Sequence, residues 1–164
     1  MAVTTLEELF VHELSDIHSA ERQLTKALPR LARAADNPAL KDGFETHLEE
    51  THGQIERLDK VVSMLGIKLK RIKCAAMEGL VEEGKEVIDS IDQGPLRDAA
   101  LIGGAQKVEH YEIAAYGTLA ALAKQLGYKD ALPLLIETLD EEKATDAKLT
   151  KLAEGGGNQK AAAA

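Results

Sequence analysis

Four stretches of this chain repeat apolar residues at steps of three and four, and that spacing restricts the fold more than any other feature. Leu6, Phe10, Leu14, Ile17, Leu24, Leu28 and Leu31 trace one stripe, which predicts a long helix over residues 4–35. Pro29 lies inside it and is expected to kink it, because proline lacks a backbone donor and crowds the preceding turn. Asp36-Asn37-Pro38 reads as a stop and a restart, with Asn37 or Asp36 as cap and Pro38 in the first turn. Leu40, Phe44, Leu48, Ile55, Leu58, Val62 and Leu65 carry a second helix to a stop at Gly66. Gly94-Pro95 opens a third, which ends at Gly127. Asp130 is expected to cap a fourth, with Pro133 in its first turn and the glycines at 155–157 ending it.

Residues 67–94 are too many for a tight turn and carry an amphipathic segment of their own, with Met77, Leu80, Val81, Val87, Ile88 and Ile91. They read as a crossover containing a short helix. Two long helices, a long crossover and two more long helices give an all-α, ferritin-like four-helix bundle. The bundle is expected to be one domain over residues 1–154, followed by a disordered tail over 155–164. Composition agrees: aromatic residues make up only 3% and Trp is absent, while Ala, Leu, Glu and Lys, all good helix formers, dominate.

The formal net charge of −8 argues against broad nucleic-acid binding, because phosphate neutralisation needs the opposite sign. The run Lys68, Lys70, Arg71, Lys73 is the one local basic patch, and it reads as a solvated connection in preference to an anion or RNA contact. A single cysteine, Cys74, supports neither an internal disulfide nor a thiolate metal cluster and points to a reducing compartment. The N-terminus has no signal-peptide pattern and no stretch is apolar enough to span a membrane, so a cytoplasmic protein is expected.

The third helix holds the chemistry. Its seam reads Ile102, Ala105, Glu109, Glu112, Tyr116, Leu119, Ala123, Leu126, which places two glutamates where leucine belongs. Glu21 falls on the apolar stripe of the first helix, and Glu142 falls among Leu132, Leu135, Leu139 and Leu149, with Asp146 at the next seam position. A buried carboxylate needs a proton, a charged partner or a metal. Four helices that each bring acid inward at similar depth favour metal, since divalent cations neutralise crowded carboxylates and organise them.

The octet HLEETHGQ, residues 47–54, contains two His–Glu pairs at helical spacing. Glu49 and His52 align with Glu45, Glu56 and Asp59 on a wholly polar stripe and are expected to face water. His47 and Glu50 share a stripe with Gln54 and Leu58 and are expected to reach the bundle centre. A shift of 91 residues superposes the two halves of the chain, pairing Glu21 with Glu112 and Glu50 with Glu141. That match favours Glu141 in the fourth helix, whereas the seam favours Glu142, and both stand as candidates. Tyr116 sits one turn beyond Glu112, and His18 one turn before Glu21.

Ser19-Ala20-Glu21-Arg22-Gln23-Leu24, the octet, the segment Val108 to Tyr116 and Leu139-Asp140-Glu141-Glu142-Lys143 together resemble the YciE/YciF family of bacterial ferritin-like stress proteins, over roughly residues 4 to 153. The resemblance implies a ferritin-like fold, a stress role, a homodimer and a metal site; joined to the acid pattern and the lack of a spanning segment, it gives the expectation of a bundle that binds one or two Fe or Mn ions and no membrane. Carried onto this sequence, its metal ligands are Glu21, His47, Glu50, Glu109, Glu112, Glu141 and Glu142. Ferritin-type enzymes carry Glu-x-x-His on their second and fourth helices, whereas here Gly53 follows Glu50 and Ala144 follows Glu141. Two histidines are therefore missing, and fold alone does not bring ferroxidase or peroxide-consuming chemistry with it. The rival expectation is a non-enzymatic dimeric stress protein that binds a protein or nucleic-acid partner.

Overall fold

A computed structural model describes residues 2–164, and its regular structure is entirely helical among the described residues. Helix α1 spans Leu6–Ala34, α2 Pro38–Leu65, α3 Ala75–Ser90, α4 Pro95–Leu126 and α5 Leu132–Leu152. The four long helices form a closed ring in which α1 packs on α2, α2 on α5, α5 on α4 and α4 on α1, while α3 lies across α1 and α4. Phe10 meets Tyr128 edge-on at 5.2 Å between ring centroids, so the start of α1 lies beside the end of α4 and the two run antiparallel.

Local chemistry sets most of the ends. Thr5 and Glu8 form a reciprocal capping box at the start of α1. The helix then continues through Pro29 to Ala34 without interruption. Asn37 caps α2 by accepting from the Ala39 N–H, and Gly66 closes it in the left-handed conformation, φ 61°. Cys74 caps α3 through its sulfur, which accepts from the Met77 N–H, and both residues are fully buried. Buried Asp98, in the first turn of α4, accepts from the backbone N–H groups of Asp36 and Asn37 at 2.8 Å each, which locks the α1–α2 corner onto α4.

The cap expected from Asp130 does not form: Ala131 precedes α5 and makes no side-chain cap bond. The preceding turn does that work through its backbone, with Leu132 N–H donating to the Tyr128 carbonyl and Leu135 N–H to that of Ala131. Pro133 has no N–H to satisfy, which reduces the need for a cap. The stretch expected to be a disordered tail is also ordered here. A wide turn over Ala153–Gly157 leads into a short helix α6, Asn158–Ala163, that packs on α4. Gly156 turns the chain at φ 122°, and a Cβ on Gly157 would stand 2.6 Å from the Leu152 carbonyl oxygen, so these glycines redirect the backbone where an end was expected.

The crossover between α2 and α3 is stitched to α1 by a polar ladder. Ser15 Oγ accepts from Lys70 N–H, Ser19 Oγ accepts from Cys74 N–H, and Gln23 Nε2 donates to the Cys74 carbonyl. These three side chains are one helical turn apart on α1 and stand in for the strand partner that an extended segment lacks.

Candidate metal centre

Each long helix delivers an acid or imidazole to one level of the core because each interrupts its leucine stripe there. The α4 seam is buried as expected: Ile102, Ala105, Glu109, Glu112, Tyr116, Leu119 and Ala123 all lack meaningful exposure, and Leu126 is half-buried at its end. On α2 the buried stripe is Phe44, His47, Thr51, Gln54, Leu58 and Val61, so His47 faces inward more fully than Leu48 or Ile55. Glu49 and His52 are exposed, as their polar stripe requires.

His47, Glu109, Glu112 and Glu142 converge, each offering one ligand atom within 4.8 Å of all the others. His47 Nε2 lies 3.2 Å from Glu109 Oε1, 3.8 Å from Glu142 Oε2 and 4.0 Å from Glu112 Oε2. Its other nitrogen, Nδ1, stands 3.4 Å from Glu50 Oε2, which fixes the ring and aims Nε2 at the carboxylates. Glu50 is only partly buried. It also accepts from Thr145 Oγ1 at 3.3 Å and faces Lys148 Nζ at 3.9 Å, so it sits at the edge of the cluster. Glu21 is fully buried beside Glu112, and the Tyr116 hydroxyl donates a short hydrogen bond to it.

Glu141 is placed elsewhere. Its carboxylate accepts from both terminal nitrogens of Arg57, with Nη1 at 2.8 Å, and from Gln54 Nε2 at 3.1 Å. The half-to-half match and the seam thus lead to adjacent residues in different surroundings, for a physical reason: one residue turns a helical side chain by about 100°. Glu142, on the seam, is the one with no exposure. Asp146 is at the rim, accepting from Gln106 Nε2 at 3.3 Å, and His18 pairs with Asp59 at 3.1 Å, away from the cluster. The contribution of Arg57 was not legible from its stripe, although an arginine seven residues after Glu50 on the same helix was a usable signal.

Burial dominates the electrostatics. It lifts Glu21 to about 7 against the opposing pull of the Tyr116 hydroxyl. Glu112 is pushed well above the ordinary carboxylate range, first by burial and then by repulsion from Glu21, Glu142 and Glu109. Glu142 rises by burial and by its contact with Glu109. Burial alone would lower His47, but its contacts with Glu109 and Glu50 outweigh that and hold its proton more tightly than usual. Glu50 is lowered by the His47 contact.

The cluster is chemically incomplete as it stands. Among the described residues, the buried side-chain atoms without a hydrogen-bond partner are Glu21 Oε2, His47 Nε2, Gln54 Oε1, Glu109 Oε2, both oxygens of Glu112 and both of Glu142. Leaving one such group unpaired costs on the order of 1–3 kcal/mol, so this concentration of them calls for a common partner. Carboxylate oxygens with one imidazole nitrogen are a donor set that suits a divalent metal ion.

A family model described as a domain of unknown function, DUF892, matches residues 5–162. The chain is 62% identical to Protein YciF of Escherichia coli strain K12 over 162 residues, covering 98% of each. The crystal structure of the E. coli stress protein YciF superposes with a TM-score of 0.93 at 61% identity, covering 96% of this chain and 99% of that one. YcfI from Rhodopseudomonas palustris follows at 0.87 and 47% identity, covering 90% and 94%. A protein from Xanthomonas campestris shares the fold at 0.72 with only 21% identity, covering 92% of each chain.

Proposed function

The chain belongs to the DUF892 family, and from that membership and the cluster's geometry we propose that it is a cytoplasmic bacterial stress protein whose ferritin-like bundle binds one or two Fe or Mn ions. His47, Glu109, Glu112 and Glu142 would hold one ion, Glu21 beside Glu112 would be available to a second, and Glu50 would orient His47 from the edge. The observation that carries this reading is the set of buried carboxylate oxygens without partners among the described residues, all of them on cluster residues or on Glu21. A bound Fe or Mn would supply one-electron chemistry toward oxygen or peroxide. The chain's own residues would exclude bulk water, hold the imidazole in place through Glu50, and keep a proton on Tyr116 beside Glu21.

Elemental analysis of protein purified without chelator tests the reading directly. Stoichiometric Fe or Mn is expected, and protein that lacks metal and also fails to take up Fe(II) or Mn(II) would sink it. A second reading, a dimer that binds a protein or nucleic-acid partner, draws support from the cleft where exposed Arg22, Lys26, Lys70 and Arg71 line up between α1 and the crossover. It gains if Lys70→Glu with Arg71→Glu abolishes stress protection that Glu112→Ala leaves intact.

A further inference from the structure

One buried orphan lies outside the residues assigned so far. Among the described residues, the unpartnered buried atoms belong to Glu21, His47, Glu109, Glu112 and Glu142 with a single exception, the amide oxygen of Gln54. Gln54 has no exposure and stands on the inward stripe of α2, two turns beyond His47. A fully buried acceptor without a donor is costly, so it needs a partner.

The amide is held in one sense. Its Nε2 donates to Glu141 Oε2 at 3.1 Å, and Arg57 grips that carboxylate with both terminal nitrogens, Nη1 at 2.8 Å. Flipping the amide would set its oxygen against a carboxylate oxygen, so Oε1 keeps the opposite direction, away from half-buried Glu141 and into the core. Its level follows from the helix directions. The His18–Asp59 and Phe10–Tyr128 contacts set α2 and α4 each antiparallel to α1, so these two run the same way. His47 meets Glu109 at 3.2 Å, and seven residues further on, about 10.5 Å along both helices, stand Gln54 and Tyr116. The Tyr116 hydroxyl binds Glu21, which brings Gln54 to the level of the Glu21 carboxylate. Glu21 Oε2 is itself unpartnered, α1 packs directly on α2, and Glu112 beside Glu21 has two unpartnered oxygens.

We infer that Gln54 lends its amide oxygen to a second cation position, shared with Glu21 and Glu112. This rests on the metal reading and deepens it, because the two positions then differ in chemistry. The first includes the His47 imidazole, whereas the second consists of oxygen alone, a set that suits a hard divalent cation such as Mn(II). A neutral amide fits this place, since a further carboxylate would add repulsion to acids already crowded.

Mn(II) titration of the metal-free full-length chain, followed by calorimetry and by electron paramagnetic resonance of the bound ion, tests this. Wild type is expected to take two ions and to show the broadened signal of a coupled pair. Gln54→Leu should keep the first ion and bind the second at least tenfold more weakly, with the pair signal lost. Gln54→Glu retains an oxygen there and should hold the second ion at least as tightly as wild type, a check that stands even if Gln54→Leu fails to fold. Unchanged second-ion affinity in Gln54→Leu, or its loss in Gln54→Glu, would overturn the inference and leave Gln54 as the acceptor of a carboxyl proton. A single ion in wild type removes this inference and leaves the metal reading standing, whereas uptake of neither Mn(II) nor Fe(II) removes both.

Discussion

At the scale of single residues, the contrast between Glu141 and Glu142 shows what burial does to two identical side chains. Glu142 faces repelling carboxylates with no hydrogen bond, while Glu141 sits in the Arg57 pair. Glu142→Ala is therefore expected to lower Fe(II) affinity at least tenfold, whereas Glu141→Ala should leave it within about twofold and cost ~1 kcal/mol through the lost pair. Fe(II) titration and urea unfolding of both variants check this. Glu112→Gln replaces a crowded acid with a neutral isostere. It should leave the metal-free protein at least as stable as wild type while abolishing metal binding, and a less stable variant would show that Glu112 is held by some partner other than a cation. Of these residues, Glu21, His47, Glu109 and Glu112 were legible because each breaks an apolar stripe. Glu141 was not separable from Glu142, since internal repeats match positions and say nothing of rotation about the helix axis.

Elements report a different balance. Helix limits followed from glycines, prolines and caps, and Gly66 and Gly127 stop α2 and α4 at positive φ as glycine allows. The α1–crossover ladder left almost no mark in the sequence, because Ser15 and Ser19 look like ordinary helix polar residues until the extended segment lies beside them. Ser19→Ala should cost about 1 kcal/mol by leaving the Cys74 N–H without its acceptor. Hydrogen exchange at Cys74 should then quicken while the α4 core stays protected. Unchanged exchange there would mean that water replaces Ser19 without loss.

For the whole molecule, pH and metal act on one account. Glu21, Glu112 and Glu142 hold protons in the metal-free folded state that the unfolded chain releases above its ordinary 4.5. Their contribution to stability is complete below 4.5 and is lost as pH rises through the folded value, about 7 for Glu21. His47, also raised, acts in the same direction above its ordinary 6.5. The melting temperature of metal-free protein should fall between roughly pH 5 and pH 8. A flat or rising profile would remove the case for crowded, unpaired acids. Fe(II) or Mn(II) at about 100 times its Kd should add ~2.7 kcal/mol and restore the melting temperature most strongly at the alkaline end, where protons no longer serve. A homodimer, the state we expect in solution, is tested by light scattering.

Apolar periodicity and chain-breaking residues are local properties, so an all-helical chain, its order of long and short helices, and the level at which acid enters the core can all be read along the sequence. Packing between the helices settled what depends on rotation and distance. It chose Glu142 over Glu141, set Glu50 at the edge, gave Arg57 its partner, and bound the crossover to α1. Those outcomes arise from packing between helices far apart in the chain, and no pattern within one helix encodes them.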